Sequence, residues 1–213
     1  KRYRGSRGED EPRLPAVRRA GRHRIGKRGF VMKIKNIWGH FKTITIHKWL
    51  VMKNCFRIGL YRQGLLHDLS KYSWTEFSIG VRYYQGTRSP NAAEREEKGY
   101  SEAWLHHKGR NRHHFEYWMD VRPGHWEEGL LGVKMPLRYV MEMMMDRIAA
   151  SRVYKGKDYT DASAWEYFCR SREDRFMHPE TRALVEKLLI MLRDEGEEKT
   201  FACIREMLKK GDY

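Results

Sequence analysis

The 213-residue chain has no long apolar run. Lys, Arg or His interrupts every hydrophobic stretch well before the roughly 18 residues that would cross a bilayer. The basic N-terminus is not followed by the apolar stretch of a secretory signal, so a cytoplasmic protein without a membrane partner is expected. Cysteine is scarce. Cys55, Cys169 and Cys203 are too widely spaced for a disulfide framework or a zinc knuckle, and they read as small apolar side chains. No segment alternates apolar and polar residues between hairpin turns, and no internal repeat is present. These absences leave a helical protein. Hydrophobic residues at 40% and aromatics at 13% are enough for one packed domain.

Charge is present in excess of one sign, a formal +15. Its distribution is uneven. Residues 1–31 hold eleven Lys or Arg against three acids, a net +8, and show no periodicity. They are read as a disordered basic tail, a place where nucleic acid is a possible partner, with Met32 as a candidate natural start. Residues 32–213 are read as the domain.

Beyond Met32 the pattern is helical. Ile37, Phe41, Ile44, Leu50 and Val51 recur at near-helical spacing over 33–54. Ser73 followed by Glu76 is a capping box that opens a helix to about Tyr84. Residues 91–98 and 101–107 form a helical pair broken at Gly99, and 113–119 are expected to be helical again. Residues 121–134 are irregular. Helices are then expected from Pro136 to about Tyr154, after Asp161 or Ser163, over 178–196, and over 197–210. Leu188, Leu189, Met191 and Leu192 form an apolar stripe that reads as core.

Against this background a few ionisable residues are out of place. His67 and Asp68 stand among Leu65, Leu66 and Leu69 in "GLLHDLSKYS". His47 shares a helix face with Ile44, Leu50 and Val51. Asp146 shares one with Glu142, Met143, Ala149 and Ala150. A carboxylate on such a face is costly to bury without a cation or donor. Each residue alone has a bland explanation, but together they suit a divalent transition metal held from several helices.

The order His47, then His67-Asp68, then a distant Asp146 resembles the HD superfamily of metal-dependent phosphohydrolases. The resemblance covers about residues 37–155. It extends to His106-His107 and His113-His114 with Glu116, where members with more than one metal carry further histidines. It also includes Lys71, three residues after Asp68, where some members contact phosphate. It implies an all-α, single multi-helix HD-like bundle. His47, His67, Asp68 and Asp146 would bind one metal. His107 with His113 or His114 would bind a second, shared through Asp68. One or two ions are implied, with Mn, Fe, Ni, Zn and Mg not distinguished. A metal-activated water would attack a small phosphorylated substrate, with Asp68 taking a proton and Lys71, Arg110, Arg112 and Arg147 on the phosphate. Residues 83–118 also look like an uncharacterised bacterial and phage family.

Four readings stay open at this point. They are a phosphohydrolase on a nucleotide or other phosphate ester, a di-iron oxygenase on the same fold, a non-catalytic phosphate- or nucleic-acid-binding protein, and a purely structural helical domain. The oligomeric state is not readable.

Overall fold

The computed structural model describes residues 34–124, 126–171 and 176–213. The tail expected over 1–31 lies outside them. Eight α-helices occur among the described residues: α1 Ile34–Arg57, α2 Tyr61–Leu66, α3 Trp74–Arg82, α4 Pro90–Lys98, α5 Glu102–Lys108, α6 Leu137–Lys155, α7 Ser163–Ser171 and α8 Pro179–Lys210. The protein is all-α. None of these helices is long and apolar enough to cross a membrane.

The helix boundaries follow local chemistry. Ser73 caps α3, its hydroxyl accepting from the Glu76 amide. Pro90 stands in the first turn of α4, where its missing N–H costs nothing. Gly99 ends α4 in the left-handed conformation, and Ser101 caps α5 two residues later. Glu94, fully buried, accepts from Ser101 Oγ at 2.6 Å and Lys98 Nζ at 3.0 Å, which ties the two helices together. Gly196 interrupts α8 with a φ of 80°, at the break expected from the sequence.

Two expectations need correction. Residues 113–119 are not helical: His113 and His114 lie in a connection, followed by one 3-10 turn, Phe115–Trp118. β1 (Met119–Val121), where the expected helix gives way to the irregular stretch, pairs antiparallel with β2 (Leu130–Gly132), Asp120 opposite Leu131. Three-residue strands are too short to show alternation.

α6 is the central element. It packs against α1 on one side and against α7 and α8 on the other. Met141, Met143, Met144, Met145, Ile148 and Ala149 are all buried, so this stretch is enclosed nearly all round. Leu188, Leu189 and Leu192 of α8 are fully buried against it, and Val51 and Cys55 of α1 complete the core. The other helices form a layer in which α3 contacts α1, α4 and α5. Its closest approach is at Gly80, where a Cβ would overlap the imidazole of His40. Gly80→Ala is therefore expected to destabilise the fold by about 1–3 kcal/mol, as overpacking does. Urea denaturation measures this, and an unchanged midpoint would refute the contact.

Candidate metal centre

The α2–α3 connection is built to present two side chains inward. Lys48 of α1 reaches across and donates to the carbonyls of Leu65 at 2.7 Å and His67 at 2.8 Å, pinning the end of α2. Asp68 then takes a left-handed backbone, φ 53° and ψ 25°, the one non-glycine residue with positive φ among those described. A 3-10 turn, Leu69–Tyr72, follows and carries Lys71 back to place Nζ 2.6 Å from Asp68 Oδ2.

Other elements converge on the same point. His47 of α1 puts Nε2 3.0 Å from Asp146 Oδ1 of α6 and 3.7 Å from Asp68 Oδ2. His67 Nε2 is 3.3 Å from Asp68 Oδ2. On the other side of the carboxylate, His107 Nε2 of α5 is 3.3 Å and His113 Nε2 is 3.4 Å from Asp68 Oδ1. Two four-residue groups result, each with its donor atoms within 4.8 Å of one another. One is His47, His67, Asp68 and Asp146; the other is Asp68, His107, His113 and His114. Asp68 belongs to both.

His47, His67, Asp68, His107 and His113 are buried, and Asp146 and His114 are half-buried. The Nε2 atoms of His47, His67, His107, His113 and His114, and both Asp68 oxygens, have no partner in hydrogen-bond geometry. The Asp68–Lys71 contact is an ion pair only.

The opposite ring nitrogens are held. His67 Nδ1 lies 3.0 Å and His113 Nδ1 3.2 Å from Glu142 Oε1. His107 Nδ1 lies 2.8 Å from Glu76 Oε2, while His106 takes the other Glu76 oxygen at 2.7 Å. His106 is thereby excluded from the central group. Asn111 donates to the His107 carbonyl at 2.8 Å and to Ser70 Oγ at 2.9 Å, which fixes the connection carrying His113 and His114.

Residues 36–191 match the model of a family of unknown function, DUF5662. The chain belongs to that family. The match includes every residue of both four-residue groups and agrees with the likeness to an uncharacterised family seen over 83–118. No curated protein and no solved structure matches the chain.

The electrostatics of this DUF5662 centre are those of packed opposite charges. Burial alone would raise the Asp68 carboxyl, but His67, Lys71 and His107 outweigh it and hold the group well below its usual range. For Asp146, burial is likewise overcome by His47, His67 and His113. Glu142 and Glu76 are lowered by the histidines that they hold, again against burial. Burial would lower His67, but Asp68 and Glu142 raise it to about 9. His107 is raised by Asp68 and Glu76 against its burial. His114 is pushed well down by burial and by His113 and His107 beside it. Burial opposes and Asp68 raises the Lys71 ammonium, which stays charged.

A cavity of about 570 Å³ opens beside the centre, lined by His47, His107, His114, Asp146 and Lys71 among others. Its walls carry Arg88, Arg95, Arg147, Lys155 and Arg170, with Tyr84 and Trp104 as flat surfaces. Arg147, expected at a phosphate, is on this wall, and its Nε is buried without a hydrogen bond. Arg110 and Arg112 do not line the cavity. Arg110 turns back toward the His106 carbonyl, and Arg112 lies over Tyr117 and Tyr139. The connection that turns its histidines inward turns these two arginines outward.

Glu142 and Glu76 were not expected at the site. Glu142 stands four residues before Asp146 on the same Met-rich face, a signal that was readable. Glu76 had a sufficient explanation as a capping residue.

His40 also lines the cavity, outside both groups. Burial, then the Lys71 charge, lowers it from 6.5 to about 4. The unfolded chain therefore binds the proton more readily, and stability falls as pH drops through this window. The loss from this residue is at most about 3 kcal/mol. His40→Gln is expected to flatten the dependence of the unfolding free energy between those values; an unchanged slope would exclude His40 as its source.

Proposed function

We propose that this DUF5662 member is a metal-dependent hydrolase of phosphate esters. The observation that carries the reading is the convergence of five buried imidazole Nε2 atoms, none hydrogen-bonded, around the shared Asp68 carboxylate. Leaving so many polar atoms unpaired is costly, and a cation at each group would remove the cost. Within a group the imidazole–carboxylate spacings run from 3.0 to 3.8 Å, and all donor atoms lie within 4.8 Å of one another. Ligands about 2.1 Å from a shared ion lie about 3.0 Å apart at right angles and about 3.4 Å apart in a tetrahedron. Glu142 and Glu76 hold Nδ1–H on three of the rings, so Nε2 is the atom that would give up its proton to a cation, the arrangement of outer carboxylates around metal-bound histidines.

In this reading His47, His67, Asp68 and Asp146 would hold one cation. His107, His113 and His114 would hold a second, and Asp68 belongs to both groups. The donor set accepts Mn, Fe, Ni or Zn. When bound, such a pair supplies Lewis acidity and an acidified water. Lys71 stays protonated beside Asp68 and meets a phosphoryl oxygen at the cavity floor. Arg147 on α6 offers a second donor from the wall. Arg95 and Arg170 add positive charge to the wall, which favours an anionic substrate such as a phosphate ester. The similarity in residue order to the HD phosphohydrolases points the same way.

Elemental analysis of untagged protein beside Asp68→Ala tests the centre. One or two equivalents of metal are expected, lost in the variant. Metal absent from both after reconstitution would end the reading. Glu142→Gln is expected to weaken metal affinity about 10–100-fold through loss of the His67 and His113 supports. On aryl phosphate mono- and diesters, Lys71→Met is expected to lower kcat about 100-fold or more, with metal content unchanged. Stoichiometric iron with no esterase activity would transfer the case to the oxygenase reading.

A further inference from the structure

The outer face of α1 is apolar where a surface helix is ordinarily polar. At 100° per residue, Ile34, Trp38, Phe41, Thr45 and Trp49 fall within about 80° of one another. All five are exposed, Trp38 to 68% and Trp49 to 53%. The face continues onto the next segment. Trp38 stacks on Phe41 at 5.8 Å, Phe41 meets Tyr72 edge-on, and Thr45 Oγ1 lies 3.1 Å from the Tyr72 hydroxyl. Leu65, Leu66 and Leu69 are also exposed, and Lys48 holds the Leu65 carbonyl against α1. Scattered surface apolar residues are ordinary, but a joined set that includes two tryptophans and three leucines is not.

The charge beside this face has one sign. No Asp or Glu occurs between Glu11 and Asp68. Lys35, Lys42 and Lys53 are exposed in a strip directly beside the tryptophans, and Lys53 Nζ lies 5.5 Å from the Trp49 ring. Arg62 is exposed on α2.

We propose that this face docks on an anionic lipid bilayer, with α1 lying in the plane of the surface. Tryptophan and leucine side chains enter the boundary between headgroups and acyl chains, while the lysines remain on the phosphates. Expecting no membrane partner rested on the lack of a spanning run, and interfacial docking needs none. A second copy of the chain is a poorer occupant, because an antiparallel two-fold pairing of this face would bring its lysine strips together and a parallel one would leave them without an acidic partner. Nucleic acid would satisfy the lysines and stack on the tryptophans but would leave Ile34, Leu65, Leu66 and Leu69 in water.

The test is sedimentation of the full chain with vesicles of phosphatidylcholine alone and mixed with phosphatidylglycerol, with tryptophan emission followed in parallel. Binding to the mixed vesicles with a blue shift is expected, and little binding to the neutral ones. Trp38→Glu/Trp49→Glu should weaken it at least about tenfold, and Lys35→Glu/Lys42→Glu should weaken it with a reduced salt dependence. These positions are exposed, so helical circular dichroism should be unchanged in both variants. Failure to bind either vesicle overturns the proposal. So does binding that both variants retain, which would assign it to the basic residues 1–31. Self-association abolished by the tryptophan variant would identify a second copy as the occupant. Duplex or single-stranded nucleic acid bound by the parent and lost in that variant would overturn the lipid assignment too.

Discussion

The carboxylate of Asp68 is where the chain's separate pieces meet. It lies between His67 on its own turn, Lys71 one turn on, His107 from α5 and His113 from the following connection, all within 3.4 Å of one of its oxygens. Such a group cannot be buried alone, because an isolated carboxylate in an apolar interior costs several kcal/mol. The surrounding architecture answers that cost. α1 supplies Lys48 to hold the turn from outside, α3 supplies Glu76 to hold His107, and α6 supplies Glu142 and Asp146 from its most enclosed stretch.

α6 shows the same tension in a second form. Met141, Met143, Met144 and Met145 make it a core helix, yet Glu142 and Asp146 sit one turn apart among them. Methionine suits this setting. It is unbranched and can fill the irregular space left around charged groups that must keep a fixed geometry. The two acids divide the work: Asp146 faces the open ring nitrogens, and Glu142 braces the rings from behind.

Much of this was legible in the residues alone. Helices were readable wherever apolar residues recurred over two or more turns, as in α1, and wherever caps or breakers were explicit, as at Ser73, Gly99 and Gly196. His47 and Asp146 stood out because their helical neighbours are apolar. What was not legible depended on backbone paths through short connections. Residues 113–119 have helical composition, but His113 and His114 are drawn into the centre, and that contact overrides local propensity. Arg110 and Arg112 carried the right charge for a phosphate, but nothing in a four-residue turn states which side chains it turns outward. Glu76 was hidden by a simpler role, because its backbone amide does satisfy Ser73 while its side chain serves His106 and His107.

The left-handed backbone at Asp68 bears on how this position can vary. Asp and Asn are among the few residues other than Gly that accept such a conformation readily. Only a short acidic side chain also offers two oxygens to donors on opposite sides. Glu meets the charge requirement but reaches too far and disfavours the backbone. Gly meets the backbone requirement and offers no oxygen. Position 68 thus answers to two independent constraints, one on the backbone and one on the side chain, that overlap in essentially one amino acid.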